Sequence, residues 1–220
     1  MNADALRVEV CRVGRSLFER GHVHASAGNI SVRLPKHQGY LITPTDACLG
    51  FLDPRHLAHI DVQGTHLAGE RASKTLTLHQ RIYAAEPDAH CVIHTHSTHL
   101  VALTLASVWS EADILPPITP YYVMKVGHVP LIPYHRPGDP RAAEFVAQAI
   151  RSARARGTPL RAVMLDRLGP NVWHDSPTAA MAVLEELEET ARLWLMTVPR
   201  PAPLSDAQIE ELRRASGAHW

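Results

Sequence analysis

A mixed α/β domain with a largely antiparallel central sheet is the fold class that the sequence predicts. Helical and strand-like patterns alternate along the 220 residues, and this interleaving favours one sheet flanked by helices. Short turns join several neighbouring strand segments, and hairpins of this kind produce antiparallel pairs. Apolar residues make up 45% of the chain, which at this length is enough to build a sizeable core.

Two helices and five strands are predicted up to residue 96. Apolar residues recur at helical spacing over residues 4–20, and Gly21 follows as a stop signal. Strands are predicted in SAGNISVRL and GYLITPT, and HLAHIDVQGTHLAG has the pattern of a hairpin with Gly64 in its turn. A helix over residues 74–86 should end before Pro87, and the apolar segment HCVIHTH should form the next strand.

The second half repeats the alternation of helices and strands. Helices are predicted over residues 97–106 and 139–155, and the Pro-rich passage LPPITPYYVMKVG between them should be largely irregular. The segments HVPLIPY, RAVMLDRLG and NVWH are predicted strands. A long helix follows, with Ser176 as its N-cap and Pro177 at its first position. The run of glutamates in this helix is predicted to form a solvated face.

We divide the chain into a main domain over residues 1–200 and a Pro-rich linker with a short helix over residues 201–220. Within this tail, Ser205 and Gln208 have the spacing of a capping box, which predicts that the short helix begins there.

Charge and cysteine content limit the function classes. Lys plus Arg and Asp plus Glu both number 22, so no net charge draws the chain toward nucleic acid or a membrane surface. No stretch reaches the roughly 18 apolar residues of a membrane span, and the N-terminus has no apolar signal core. The three cysteines include no CxxC pair, which is typical of free thiols in a reducing compartment. We therefore expect a cytoplasmic protein with no nucleic-acid or membrane partner.

His94 and His96 form the sharpest local feature. Alternate side chains of a strand point to the same face, so two histidines in an HxH pattern at the end of HCVIHTH could reach one ion. Neutral imidazole suits zinc and its neighbours in the first transition row. Two surface histidines at a strand end are the alternative that the tripeptide alone leaves open.

Three segments carry weak signals for anion binding. SAGNIS has a Gly-Asn turn with serines on both sides, and LITPTD has two threonines beside a proline. ASK places Ser73 and Lys74 at a helix start, where the helix dipole favours an anion. Ordinary turns would produce the same patterns, so these signals support a site only if the fold brings the segments together.

The chain resembles the class II aldolase/adducin family through ordered blocks between about residue 6 and residue 213. The blocks are SAGNISVRL, LITPTDACLGFLDP, ASKTLTLHQRIYAAEPDAHCVIHTHSTH, PPITPYYVMKVGHVPLIPYHRPGDP and AVMLDRLGPNVWH…EELEETARLWL. The Lys of ASK, LGFLDP, YYVMKVGHVPLIPY and RPGDP resemble the branch of 3-oxo-tetronate 4-phosphate decarboxylases. The resemblance implies a three-layer αβα sandwich, a homotetramer with active sites between subunits, and a divalent metal, most typically zinc.

The same resemblance implies roles for single residues. His94 and His96 match the family's paired metal ligands. Lys74 matches the decarboxylase branch, and Tyr121, rather than Tyr122, matches a tyrosine that reaches the neighbouring subunit's site. The positions that match the family's cradle for a phosphorylated substrate are Asn29, Thr45 and Ser73, with Ser26 beside them.

The chain departs from the family pattern at three positions of the site. Thr75 stands where the family has its catalytic Glu, and Leu168 stands where it has the third metal His. Asp46 replaces the Gly after Thr-Pro-Thr, and its carboxylate would repel a phosphate unless it points away. Asp166 is a candidate replacement ligand, for which a salt bridge with Arg167 or Arg161 is the alternative. His128, His135 and His174 are further candidates that the sequence does not rank.

Two functions follow from this pattern. The first is a divalent-metal-dependent carbon–carbon lyase acting on a phosphorylated sugar acid, most simply a decarboxylase of a 3-oxo-tetronate 4-phosphate. Decarboxylation needs no base to begin, so the loss of Glu at Thr75 harms it less than it harms aldol cleavage. The second is a non-catalytic, oligomeric binding or structural member of the family, which the losses at Thr75 and Leu168 would favour.

Overall fold

The structure, a computed structural model, describes residues 2–220, with the backbone alone at Lys36. Eight strands form one sheet: β1 (Asn29–Arg33), β2 (Tyr40–Ile42), β3 (Ala58–Ile60), β4 (His66–Ala68), β5 (Cys91–His94), β6 (Leu131–Ile132), β7 (Ala162–Leu165) and β8 (Gly169–His174). Their order across the sheet is β4-β3-β2-β1-β5-β8-β7-β6. Neighbouring strands are antiparallel except β6 and β7, which confirms the predicted, mostly antiparallel sheet.

Helices cover both faces of the sheet. They are α1 (Ala3–Glu19), α2 (Leu76–Ala85), α3 (Thr98–Ala106), α4 (Pro140–Ala155), α5 (Pro177–Met196) and α6 (Asp206–Ser216). Buried apolar side chains of α1, α3 and α5 pack against one face. Those of α2 and α4 pack against the other. The three-layer αβα sandwich is therefore confirmed.

The central strand β5 has side chains on both faces of the sheet. Cys91 and Ile93 face the layer of α1, α3 and α5, whereas Val92 belongs to the core under α2 and α4. By strand alternation, His94 points to the same side as Val92. Asn29 of β1 and Asn171 of β8 lie directly opposite His94 in the two neighbouring strands. The sheet thus places a row of polar side chains at one end of an otherwise apolar face.

The Pro-rich passage and two strand segments differ from the sequence-based expectations. The Pro-rich passage is not simply irregular, because Tyr122–Val126 form a π-helix. Its first turn is held by the hydroxyl of Thr119, which accepts a hydrogen bond from the Tyr122 amide at 3.1 Å. The segment HVPLIPY contributes only Leu131–Ile132 to the sheet, and the segment HCVIHTH leaves it after His94.

The glutamates of α5 are not all on a solvated face. Glu188 is buried, and its carboxylate accepts hydrogen bonds from the backbone amides of His99 at 2.9 Å and Leu100 at 3.0 Å. It also lies 2.8 Å from Nδ1 of His99. The expectation was wrong here because the N-terminus of α3, which lies against α5, has unpaired amides that a carboxylate satisfies.

The C-terminal tail lies against the main body. The capping box of Ser205 and Gln208 is present, as predicted. Ile209 is buried, and the Leu204 amide donates to the Pro117 carbonyl at 2.8 Å. The division of the chain at residue 200 stays a prediction. Among the described residues, no helix combines the length and the apolar character needed to cross a membrane.

Candidate functional site

A cleft of about 430 Å³ opens at the end of the sheet where β1 begins and β5 ends. It brings together seven of the eight residues selected from the sequence: Ser26, Asn29, Thr45, Ser73, Lys74, His94 and His96. These residues come from four separate segments of the chain, which include the start of β1 and the end of β5, and only the tertiary fold brings the segments together. The three weak anion signals therefore occupy one cleft with the histidine pair.

The two histidines lie side by side, with ring centroids 5.1 Å apart. Nδ1 of His94 donates to the carbonyl of Pro170 at 2.8 Å, so its Nε2 is left as an acceptor. A carbonyl partner on the far nitrogen is the usual way in which a metal-binding imidazole is oriented. Burial lowers the pKa of His94 to about 4, and burial also lowers the pKa of His96. Both imidazoles are therefore neutral at pH 7, as metal ligands must be.

The other two positions of the family's metal site are also in the cleft, but they carry no ligand. Thr75 and Leu168 both line the cleft, so both substitutions lie within the candidate site itself. Among residues 2–220, no three His, Cys, Asp or Glu side chains are grouped so that they could hold a metal ion. The histidine pair fits half of the implied donor set, and in the part of the chain that the structure describes no third such side chain is grouped with the pair.

Of the four candidate replacement ligands, Asp166 and His135 line the cleft and the other two do not. Asp166 lines the cleft beyond the end of β7, and its carboxylate lies 4.0 Å from Nε of Arg167. His128 bonds Asp113 and stacks on Trp220, away from the cleft. His174 pairs with Asp175 at the opposite end of β8. His135 alone of the three candidate histidines lines the cleft.

A buried polar network stands behind the histidine pair. The hydroxyl of Ser31 lies 2.7 Å from Nδ1 of His79 and 2.8 Å from the hydroxyl of Tyr83. Burial lowers the pKa of His79 to about 3, with a smaller contribution from His94. Nε2 of His79 and the side-chain amide of Asn171 have no partner among the described residues. His79 is thus held neutral. Ser31, one of the two serines beside the Gly-Asn turn, lies in this buried network and does not line the cleft, and the sequence pattern did not single out Tyr83.

The loops of the anion cradle have backbone features that suit a close ligand. Gly28 has a φ of 84°, and a Cβ at this position would lie 2.8 Å from the His94 carbonyl. The hydroxyl of Thr43 accepts from the Ile30 amide at 3.2 Å and so joins two of the loops. The Oδ1 atom of Asn29 is buried without a partner among the described residues, and Asn29 lines the cleft. Such an atom calls for a ligand or a water.

Asp46 lies at the exposed rim of the cleft with a φ of 58°. This left-handed conformation explains why the family has Gly here, since Gly adopts it without strain. Asp is among the few other residues that tolerate it. The backbone at Asp46 therefore keeps the shape of the turn, and its carboxylate adds a negative charge to the rim.

Tyr121 is the one selected residue that does not line the cleft of its own chain. Its side chain is 62% exposed, whereas Tyr122 is buried and packs against Trp220 with centroids 5.6 Å apart. Of the two tyrosines, only Tyr121 has its side chain available to another subunit. A role in a neighbouring site stays a prediction.

Arg136, to which the sequence pattern gave no role, lines the cleft together with His135 and Pro137. The signal was present in HRPGDP, a Pro-Gly turn directly before the N-cap of a helix. The side chains of this turn could not be assigned to the site from the sequence, because the anion cradle and the histidine pair lie about 40 or more positions away along the chain.

Comparison with known proteins agrees with this geometry. Residues 8–195 match the model of the class II aldolase and adducin N-terminal domain. A Cupriavidus necator protein named 3-oxo-tetronate 4-phosphate decarboxylase is 55% identical over 220 residues, which covers 98% of this chain and 97% of that protein. The Escherichia coli K12 protein of the same name is 39% identical over 210 residues, with 95% of each chain covered.

Solved structures show the same fold. YgbL of Escherichia coli superposes with a TM-score of 0.87 at 38% identity, covering 96% of this chain and 99% of that chain. The l-fuculose-1-phosphate aldolase of Thermus thermophilus gives a TM-score of 0.73 at 26% identity, covering 86% of this chain and 92% of the other.

Proposed function

The chain belongs to the family of the class II aldolase and adducin N-terminal domain, and from this premise we propose that it is a carbon–carbon lyase of the cytoplasm. Its substrate is a small phosphorylated sugar acid, and its reaction is the decarboxylation of a 3-oxo-tetronate 4-phosphate or a close analogue. The main support for this proposal is that one cleft is lined by the proposed anion-binding loops, by Lys74 and by the histidine pair. The name of the 55% identical relative supports the same reaction.

The phosphate end of the substrate would lie in the cradle of Asn29, Thr45 and Ser73, with Ser26 beside them. Ser73 precedes the N-terminus of α2, where backbone amides and the helix dipole favour an anion. The Ser73 hydroxyl lies 3.0 Å from that of Thr75, so one of the two donates to the other and the second keeps its proton for the substrate. The uncharged Thr75 leaves this end of the cleft less negative than a glutamate would.

The reaction would develop negative charge on the substrate, and Lys74 would stabilise that charge. When the bond between C1 and C2 breaks, carbon dioxide leaves and its bonding electrons form an enolate over C2, C3 and the C3 oxygen. An ammonium group close to that oxygen stabilises the developing charge. C2 then needs a proton, for which we propose Tyr121 of a neighbouring subunit in a homotetramer. No base is needed to start this sequence, which favours decarboxylation over aldol cleavage at a site without the family's Glu.

His94 and His96 would hold a divalent cation, and imidazole ligands make zinc the first candidate. Such an ion, when bound, supplies a Lewis acid for the 3-oxo group. With two protein ligands, its binding should be weak. Aldol cleavage of fuculose- or ribulose-type phosphates should be poor for the same reason.

A non-catalytic binding or structural role is the second candidate. The observation that favours it is specific: Thr75 and Leu168 both line the cleft, so half of the family's metal-site positions carry no ligand. Such a protein would still bind anions through these loops and would still form an oligomer, but it would not catalyse the reaction.

Release of carbon dioxide from freshly prepared 3-oxo-tetronate 4-phosphate separates the two candidates. We expect turnover above the spontaneous rate, further raised by added zinc, and loss of most of it in Lys74→Met. Lys125→Met is the matched control, because Lys125 is exposed on the π-helix outside the cleft. Binding of the substrate without any acceleration would support the non-catalytic role. Absence of binding would contradict both.

A further inference from the structure

The segment 133–140 forms part of the wall of the cleft that contains the anion cradle. It follows β6 and leads into α4, and His135 and Arg136 lie in its middle. Neither residue belongs to the cradle or to the histidine pair. The wall therefore adds two side chains to the site, and neither has a role in the proposed reaction as described above.

This wall is held in one conformation by contacts of its own. The Asp139 side chain caps α4 by accepting from the Arg141 amide at 2.9 Å, and the Asp139 amide donates to the Arg136 carbonyl at 3.0 Å. The Asp139 carboxylate also binds the Arg141 guanidinium at 2.8 Å. Nδ1 of His135 donates to the Pro133 carbonyl at 2.7 Å. The backbone that carries Arg136 is thus fixed without the use of the Arg136 side chain.

The charges in the cleft leave Arg136 available. The basic residues that line it are Lys74 and Arg136, and the acidic ones are Asp46, Asp139 and Asp166. Asp139 is engaged by Arg141, Asp166 lies near Arg167, and Asp46 is at the exposed rim. Within the part of the chain that the structure describes, neither Arg136 nor Lys74 forms an ion pair. Two unpaired cations in one cleft suit a ligand with two anionic groups.

We propose that Arg136 binds the carboxylate of the substrate and so selects a molecule with an anion at both ends. A guanidinium offers two parallel donors that match a carboxylate, which an ammonium does not. The phosphate would remain in the cradle, and Lys74 would be left for the charge that develops during the reaction. This inference rests on the proposed function, because it assigns the second anionic group of the same substrate.

The proposal separates binding from chemistry. Arg136 would bind the substrate carboxylate, which loses its negative charge as it becomes carbon dioxide. The interaction between Arg136 and this group is therefore stronger in the ground state than in the transition state. Removal of the guanidinium should raise KM and leave kcat unchanged or higher, since only interactions that strengthen in the transition state raise kcat. A merely structural role would lower kcat together with the melting temperature.

Calorimetric titration with two unreactive probes tests the proposal. Erythronate 4-phosphate carries a carboxylate and a phosphate, and erythritol 4-phosphate carries the phosphate alone. For Arg136→Gln we expect about 10- to 100-fold weaker binding of erythronate 4-phosphate, a size typical of a lost charged hydrogen bond, and unchanged binding of erythritol 4-phosphate. Arg136→Lys should fall between wild type and Arg136→Gln. Arg151→Gln, on the exposed side of α4, is the matched control and should bind both probes as wild type does.

The possible failures are distinguishable. If wild type binds both probes and Arg136→Gln weakens both equally, or neither, Arg136 does not read the carboxylate and the proposed function survives. If folded wild type binds neither probe, the assignment of a phosphorylated sugar acid is wrong, and the role of Arg136 is overturned with it.

Discussion

Thr75 and Leu168 determine how much of the family's chemistry this site can perform. Each replaces a metal-binding residue of the family pattern with a side chain that cannot take its place, and both line the cleft beside His94 and His96. His94 keeps the carbonyl partner on Nδ1 that a metal-binding imidazole needs. Relative to the pattern that the family resemblance implies, the cleft therefore lacks two ligands and keeps the histidine pair.

Restoring those ligands should tighten zinc binding. We expect Leu168→His to lower the zinc dissociation constant by at least about 10- to 100-fold, the size that even indirect changes around a metal site produce. Adding Thr75→Glu should tighten binding further. A titration against a competing chelator measures this for wild type, each single variant and the double variant.

Leu105→His is the control for that titration, since Leu105 is exposed on α3 outside the cleft. Tight zinc binding by wild type, with no gain in Leu168→His, would mean that another residue completes the site. Asp166→Ala would then show whether the site was rebuilt around Asp166. No zinc binding by any of the four proteins would favour the non-catalytic role.

At the scale of single elements, α3 depends on a carboxylate from another helix. Thr98 begins the helix after Ser97, whose side chain forms no cap. Glu188 of α5 instead accepts the amides of His99 and Leu100. α3 directly follows the loop that carries His96, so this cap also anchors one end of the histidine pair.

Glu188→Gln should destabilise the protein by about 1–3 kcal/mol, because a buried acceptor of charged hydrogen bonds is weakened. Urea unfolding monitored by circular dichroism measures the loss. Glu189→Gln is the matched control on the same helix, since Glu189 pairs with Arg192 at the surface and such pairs contribute little. Equal midpoints for both variants would show that the contact with α3 adds nothing to stability.

The buried histidine of α2 should make stability fall in acid. The folded-state pKa of His79 is about 3, below the unfolded value of about 6.5. The unfolded chain therefore binds more protons between these values, and stability is full above about pH 6.5 and is lost as the pH falls. The slope should reach about 1.4 kcal/mol per pH unit from this group.

Urea midpoints between pH 7.5 and pH 5, taken with a chelator present, measure that slope. His79→Asn should reduce it, whereas His37→Asn, at an exposed position with a φ of 57° that Asn tolerates, should not. Identical slopes in wild type and His79→Asn would contradict the assignment.

At the scale of the whole molecule, the site is expected to need a second subunit. Seven of the eight selected residues meet in one chain, and Tyr121 is exposed outside their cleft. The homotetramer that the family resemblance implies would bring Tyr121 of one subunit to the site of another.

Light scattering should therefore give the mass of a tetramer at micromolar concentration. Tyr121→Phe should keep that mass and lower kcat, because it removes only the hydroxyl that we propose as the proton donor. Tyr134→Phe, also exposed, is the control and should change neither. A monomer that decarboxylates its substrate would refute Tyr121 as a proton donor.

The sequence by itself determined the alternation of helices and strands, the antiparallel hairpins, the capping of α5 and α6, and the selection of the histidine pair. These features depend on periodicity and on residues within a few positions of each other, so local steric and hydrogen-bonding preferences specify them. The family resemblance added the positions of the cradle and identified Thr75 and Leu168 as departures.

Only the tertiary structure decided which of these residues share a site. The pairing of β1, β5 and β8 sets Asn29, His94 and Asn171 in one row, although they are far apart in sequence. The packing of α5 on α3 buries Glu188, and the turn before α4 brings Arg136 to the cleft. Contacts of this kind join segments that are far apart along the chain. The periodicity of a segment predicts that one of its faces is buried, but it does not say which other segment covers that face.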